Sequence, residues 1–93
     1  MKALKNSLMD CSPIVRINAI EAIMNSGEED SVELIRPCLK DDDDEVKKNA
    51  LIAIYNLIGR SILDEVIDLP SYSEFLKNEA QELIDEYESE EDE

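Results

Sequence analysis

Apolar residues recur along this chain with a helical period, and the period breaks often enough to divide the chain into six segments. The pattern predicts helices over residues 2–10, 13–26, 31–40, 44–58, 60–68 and 72–88. Start and stop signals agree with several of these bounds. Ser12-Pro13 sets an N-cap before a proline at the first helical position, where the missing N–H costs nothing. Asp43 or Asp44 can cap the fourth helix, and Ser71 or Ser73 the sixth, with Glu74 as a capping-box partner for Ser71. Gly27 and Gly59 follow the second and fourth helices, where a left-handed residue closes the last turn. Pro37 falls in the second half of the third helix and predicts a kink or a late start there.

The six segments form three pairs, and the pairs repeat. Shifting the chain by 31 residues places Leu8, Asp10, Val15, Asn18, Ala19, Ala22 and Asn25 on Leu39, Asp41, Val46, Asn49, Ala50, Ala53 and Asn56, each pair identical. A further shift of 30 places Val46-Lys47, Ala50 and Ile54 on Leu76-Lys77, Ala80 and Ile84. The chain therefore divides into repeats at about 1–27, 28–59 and 60–88, within one domain over 1–88. Three is about the number at which stacking buries a continuous core.

Within each repeat the second helix has two distinct faces. Val15, Ala19, Ala22 and Ile23 share one face, as do Val46, Ala50, Ala53 and Ile54. Alanine at two of these positions lets helices approach closely, so this face is the expected core. Ile17, Glu21 and Met24 lie nearly opposite, as do Lys48, Ile52 and Tyr55. In a stack of hairpins this side lines the concave surface, where Ile17, Met24, Ile52 and Tyr55 form an apolar strip. A partner helix or peptide and a second copy of the chain suit that strip equally, with burial against the third repeat behind them. Asn18 and Asn25 match Asn49 and Asn56 on one flank, and are expected to hydrogen-bond across the junction between repeats. A recognition ladder for a ligand backbone ranks lower.

Charge narrows the choice of partner. Twenty-four acidic residues against nine basic ones give −15. Seven of the negative charges lie between Asp85 and Glu93, and removing them leaves −8 for residues 1–84. Residues 89–93 read as an acidic disordered tail. Phosphate backbones repel such a chain, so nucleic acid is not an expected partner, whereas a protein with a basic surface is. No run of 18 apolar residues is present, so no membrane span is expected. Cys11 and Cys38 are too few for a disulfide framework and read as free thiols in a cytoplasmic setting.

The motif Leu8-x-Asp10-x-Ser12-Pro13-x-Val15-Arg16-x-x-Ala19-x-x-Ala22-Ile23, echoed by Leu39-x-Asp41 and Val46-Lys47-x-x-Ala50-x-x-Ala53-Ile54, resembles the short HEAT-like repeat of the phycobilisome-lyase type. The resemblance is good over residues 4–59 and poor from 60 to 88. It implies an all-α, right-handed α-α superhelix of about three hairpins, an armadillo-like solenoid. It also implies a hydrogen-bonded ladder along the stack, with Asp10 and Asp41 in the inter-helix turns and Arg16 and Lys47 opening the second helices. The third copy has Lys77 but no matching Asp, so that ladder is partial.

Candidate chemistry is thin. The run Asp41-Asp42-Asp43-Asp44-Glu45 lacks the glycine of a calcium loop, and the twelfth position from Asp41 is Ile52. Carboxylates that cap a helix and face its positive end account for the run without a metal. The chain has no histidine, so the commonest general base is absent, as are the His-Glu pairs of the HEAT-like metal hydroxylases. Cys11 precedes a helix N-terminus but has Asp10 beside it and no base, and reads as an inert thiol. The expectation is a non-catalytic protein-interaction scaffold or adaptor with no cofactor, a whole protein or a fragment of a longer solenoid, with a homo-oligomer as one possible state. Alternatives are an acidic nucleic-acid mimic or regulatory subunit occupying the basic surface of another protein, and a non-catalytic subunit of a lyase-type enzyme. Salt titration of a captured complex separates the mimic, which is released steeply by salt.

Overall fold

The computed structural model describes residues 8–27 and 29–91. Of the expected first helix, residues 2–7 lie outside that set, and Leu8 and Met9 form a turn. Every described element is a helix. They are α1 (Pro13–Ser26), α2 (Ser31–Ile35), a 3-10 helix (Arg36–Lys40), α3 (Asp44–Ile58), α4 (Ser61–Asp68) and α5 (Glu74–Glu91). The last of these runs into the segment expected as a tail, and Asp92 and Glu93 lie outside the described residues.

Helix boundaries follow local chemistry. Ser12 is the N-cap residue of α1, yet its hydroxyl does no capping. Its N–H instead donates to Asp10 Oδ1 at 2.9 Å, which makes residues 10–12 an Asx turn leading into Pro13. At the other end, Gly27 takes the left-handed conformation with φ 73°. The orphan carbonyl of Ile23 accepts from Ser26 Oγ at 2.7 Å and from Ser31 Oγ at 3.1 Å. Those bonds explain why Ser31 is buried among apolar neighbours. Pro37 has the expected effect in a particular form: the helix begun at Ser31 tightens into 3-10 geometry at Arg36 rather than kinking.

The N-cap of α3 is Asp43, whose Oδ1 accepts from Glu45 N–H at 2.9 Å and Val46 N–H at 3.3 Å. Its own N–H donates to Asp41 Oδ1 at 2.9 Å. An Asx turn at Asp41 followed by the cap at Asp43 thus gives two residues of the acidic run a backbone role. Asp43→Ala is expected to cost about 1 kcal/mol in urea unfolding, with Asp42→Ala close to neutral as the matched control. Gly59 ends α3 with a positive φ of 85°, but its ψ of −156° is not left-handed helical, so that expectation needs correction. For α5, Ser73 is the cap and Ser71 is not: Leu76 N–H donates to Ser73 Oγ at 3.3 Å.

Helix α3 is the hub, packing on α1, α2, the 3-10 helix, α4 and α5. Its Val46, Ala50, Leu51, Ala53 and Ile54 are all buried. On α1 the expected core face is only partly closed: Ala19 and Ile23 are buried, Val15 is half-buried and Ala22 is exposed. Ala22 and Ala53 are matched positions with opposite fates, and the stack explains why. Asn49, Ala53 and Asn56 lie on one flank of α3, and Asn56 reaches Met24 of α1, so α1 covers that flank. The equivalent flank of α1, where Ile14, Asn18, Ala22 and Asn25 are all exposed, has no described helix over it.

Candidate interaction face

The six residues expected on the concave surface sit on two neighbouring helices, at i, i+4 and i+7 on each. Ile17, Glu21 and Met24 lie on α1; Lys48, Ile52 and Tyr55 lie on α3. Glu21 is exposed and the other five are half-buried. Ile17, Met24 and Tyr55 pack against the core, so the strip is a partly sunken seam rather than an open apolar surface. Asn56 Nδ2 donates to Met24 Sδ at 3.7 Å, which places Met24 in the join between α1 and α3. The half-burial follows from stacking: the side of α1 that leads toward the next repeat is the side α3 covers.

The next join, between α3 and α5, is less completely filled. A groove of about 330 Å³ opens there, with Lys48 and Ile52 on one side and Glu79, Glu82, Leu83 and Glu86 on the other. Lys48 Nζ lies 3.9 Å from Glu79 Oε1 across it. The four residues on α5 are absent from the sequence-based expectation. A signal for three of them was available in the 30-residue match, which sets Glu79, Leu83 and Glu86 on Asn49, Ala53 and Asn56.

The ladder residues meet across repeats. Arg16 Nη2 donates to Asp41 Oδ1 at 2.9 Å, and Arg16 Nε lies 2.9 Å from Asp41 Oδ2 as an ion pair without hydrogen-bond alignment. A third contact ties Arg16 Nη1 to the Asp10 carbonyl at 2.6 Å. One guanidinium thus spans the turns of the first and second hairpins. Lys47 does not pair with Asp41. Its Nζ lies 3.3 Å from Asp44 Oδ1 and reaches Ser73 Oγ at 3.5 Å, in the turn of the third hairpin. The 30-residue shift sets Ser71 on Asp41 and Ser73 on the cap residue Asp43, so the ladder position of the third copy holds no Asp and Lys47 meets the neutral cap serine in a weaker contact.

The asparagines do not pair with one another. Asn49 Nδ2 donates to the Glu45 carbonyl of its own helix at 2.7 Å, Asn56 takes Met24, and Asn18 and Asn25 are exposed. A polar cluster missed in the sequence joins the second hairpin to the third on the side of the first helices. There Glu65 Oε2 accepts from Arg36 Nη1 and from Tyr72 Oη, and Lys40 Nζ lies 5.4 Å from the Tyr72 ring centre. Burial, followed by that bond to Glu65, raises the Tyr72 hydroxyl above its ordinary pKa.

The two thiols differ sharply. Cys11 is exposed. Burial, with the Asp41 carboxylate adding to it and Arg16 opposing, pushes the Cys38 thiol up to about 11. At pH 8 a maleimide is therefore expected to consume one thiol per chain rapidly, and the second only on unfolding. Rapid reaction of both thiols in the folded chain would contradict that placement of Cys38. Among the described residues no helix is long and apolar enough to cross a membrane.

Comparison with curated proteins and with solved structures gives no significant match. The family model for HEAT repeats matches residues 1–84. That span takes in α1 to α4 and most of α5, including much of the poorly conforming segment from residue 60 onward, and agrees with stacked helices joined by the Arg16–Asp41 rung. The chain belongs to the HEAT-repeat family.

Proposed function

We propose that the chain is a non-catalytic scaffold that takes a protein partner on the side formed by the second helices of its hairpins. Its contact residues on this reading are Ile17, Glu21, Met24, Lys48, Ile52 and Tyr55. The observation that carries the reading is the state of α3. It is the most heavily packed of the described helices, yet Ile52 is only half-buried in the wall of an open groove, and Tyr55, three residues on, is half-buried as well. HEAT repeats commonly serve as protein-interaction scaffolds, and stacked hairpins provide such a surface without catalytic groups. The chain also lacks histidine, and within its acidic run Asp41 is a ladder partner, Asp43 a helix cap and Asp44 an ion-pair partner of Lys47.

Affinity capture with cross-link mapping tests the reading, using Ile17→Asp and Tyr55→Asp as probes. Folded variants that lose the captured partner support it. Loss of helical circular dichroism assigns these residues to the core instead. Variants that stay folded and keep both partner binding and oligomeric state, measured by light scattering, rule out the face as an interface of either kind. The charge of −15 supports a second reading, an acidic mimic on a basic protein surface. Steep release of the captured partner by salt would favour it.

A further inference from the structure

We infer that the groove between α3 and α5 receives an amphipathic helix of a protein partner, one that carries lysine or arginine beside an apolar anchor. This rests on the scaffold reading and names the chemistry of the occupant. The case begins with how the two inter-helix joins differ. Between α1 and α3, the flank of α3 offers Asn49, Ala53 and Asn56, all neutral, and Asn56 closes on Met24. Between α3 and α5, the matched flank of α5 offers Glu79, Leu83 and Glu86. Two amides have become carboxylates and the alanine a leucine, in the join that stays open by about 330 Å³.

The groove therefore has an apolar part, Ile52 and Leu83, both half-buried, and an acidic rim. Lys48 shows how a cation fits there, its Nζ 3.9 Å from Glu79 Oε1. Glu82 and Glu86 are exposed and have no ion-pair partner among the described residues. From Glu79 to Glu86 the rim spans two helical turns, about 10 Å at 1.5 Å per residue. A helix laid along it can set cations at matching spacing around one or two aliphatic side chains. The charge of this part of the chain favours the same occupant: residues 60–86 carry eight carboxylates against Arg60 and Lys77 alone. A purely polar ligand would leave the Ile52–Leu83 surface wet, and an acidic one would be repelled.

The test uses the full chain and a fluorescein-labelled helix of about 14 leucines and lysines, its leucines on one face, read by anisotropy near physiological salt. Glu79→Gln/Glu82→Gln/Glu86→Gln is expected to weaken binding about tenfold or more, by removing charge the helix contacts directly. Glu29→Gln/Glu33→Gln/Asp68→Asn makes the same charge change at exposed sites away from the groove, and is expected to weaken binding less than about threefold. Replacing the probe's leucines by alanine is expected to cost about tenfold or more as well, through lost apolar burial. Equal weakening by the two triple variants, or equal binding of the alanine probe, overturns the inference. Circular dichroism of each variant separates lost binding from lost fold. Failure here is distinct from failure of the scaffold reading, which is decided by the captured partner's response to Ile17→Asp and Tyr55→Asp.

Discussion

Asp41→Ala should destabilise the folded chain by about 2–3 kcal/mol, whereas the same change at the matched Asp10 should cost less than about 1 kcal/mol. The two aspartates occupy one position of the repeat, and each accepts an N–H two residues ahead: Ser12 for Asp10, Asp43 for Asp41. Only Asp41 also holds a guanidinium. The Arg16 and Asp41 side chains are 15% and 14% exposed, so removing the carboxylate leaves a largely buried cation with one neutral acceptor, the Asp10 carbonyl. Arg16→Lys should fall between, near 1–2 kcal/mol, because an ammonium cannot address both carboxylate oxygens and the Asp10 carbonyl together. Urea unfolding followed at 222 nm measures all three variants. Similar costs for Asp10→Ala and Asp41→Ala would show that the rung adds nothing. A reduced denaturant slope for Asp41→Ala would report hairpins that have begun to unfold separately.

The rung also marks how far the sequence could be read. Helix positions were legible because they are local: Pro13, Gly27, the Asp43 cap and the 3.6-residue apolar period each act within a few residues. The repeat made the stack legible, since a hairpin that cannot bury its own apolar face needs a neighbour. What depended on position within the stack was less visible. Ala22 and Ala53 are indistinguishable in the repeat, yet one is exposed and the other covered by α1. The strip from Ile17 to Tyr55 looked open because helical periodicity assigns residues to faces without saying how deeply a neighbouring helix sinks them. The 3-10 geometry at Pro37 was anticipated only as a disturbance, since the sequence does not say which compact alternative the neighbouring α3 will accommodate. Ser73 as the recipient of Lys47 was hidden because it holds the cap position, matched to Asp43, and not the ladder position, matched to Asp41. The groove beside Glu79 and Glu86 arises only when α3 and α5 are paired, although the change from asparagine to glutamate was already present in the aligned repeats.

Leu51→Ala is expected to be among the most damaging single truncations, at about 3–4 kcal/mol, while Ile52→Ala next to it should cost about 1 kcal/mol or less. Leu51 is fully buried on the helix that contacts every other described element. Removing its side chain opens a cavity that neighbours on several sides cannot all move to fill. Ile52 lies half-exposed at the groove and gives up only part of its surface to water. Domains of this size are typically stable by roughly 5–10 kcal/mol, so the Leu51 change alone would remove a large share of the margin. At roughly 4–8 °C per kcal/mol, its melting temperature should fall by about 15 °C or more. The contrast also bears on cooperativity. In a stack, coupling passes between neighbours, so a weakened central helix disconnects the hairpins on either side of it. Hydrogen exchange should then show protection falling together in α1, α3 and α5 for Leu51→Ala. For Ile84→Ala, on the last helix, the loss should be concentrated in α4 and α5. A Leu51→Ala chain that lost protection in α3 alone would mean the three hairpins do not share one core.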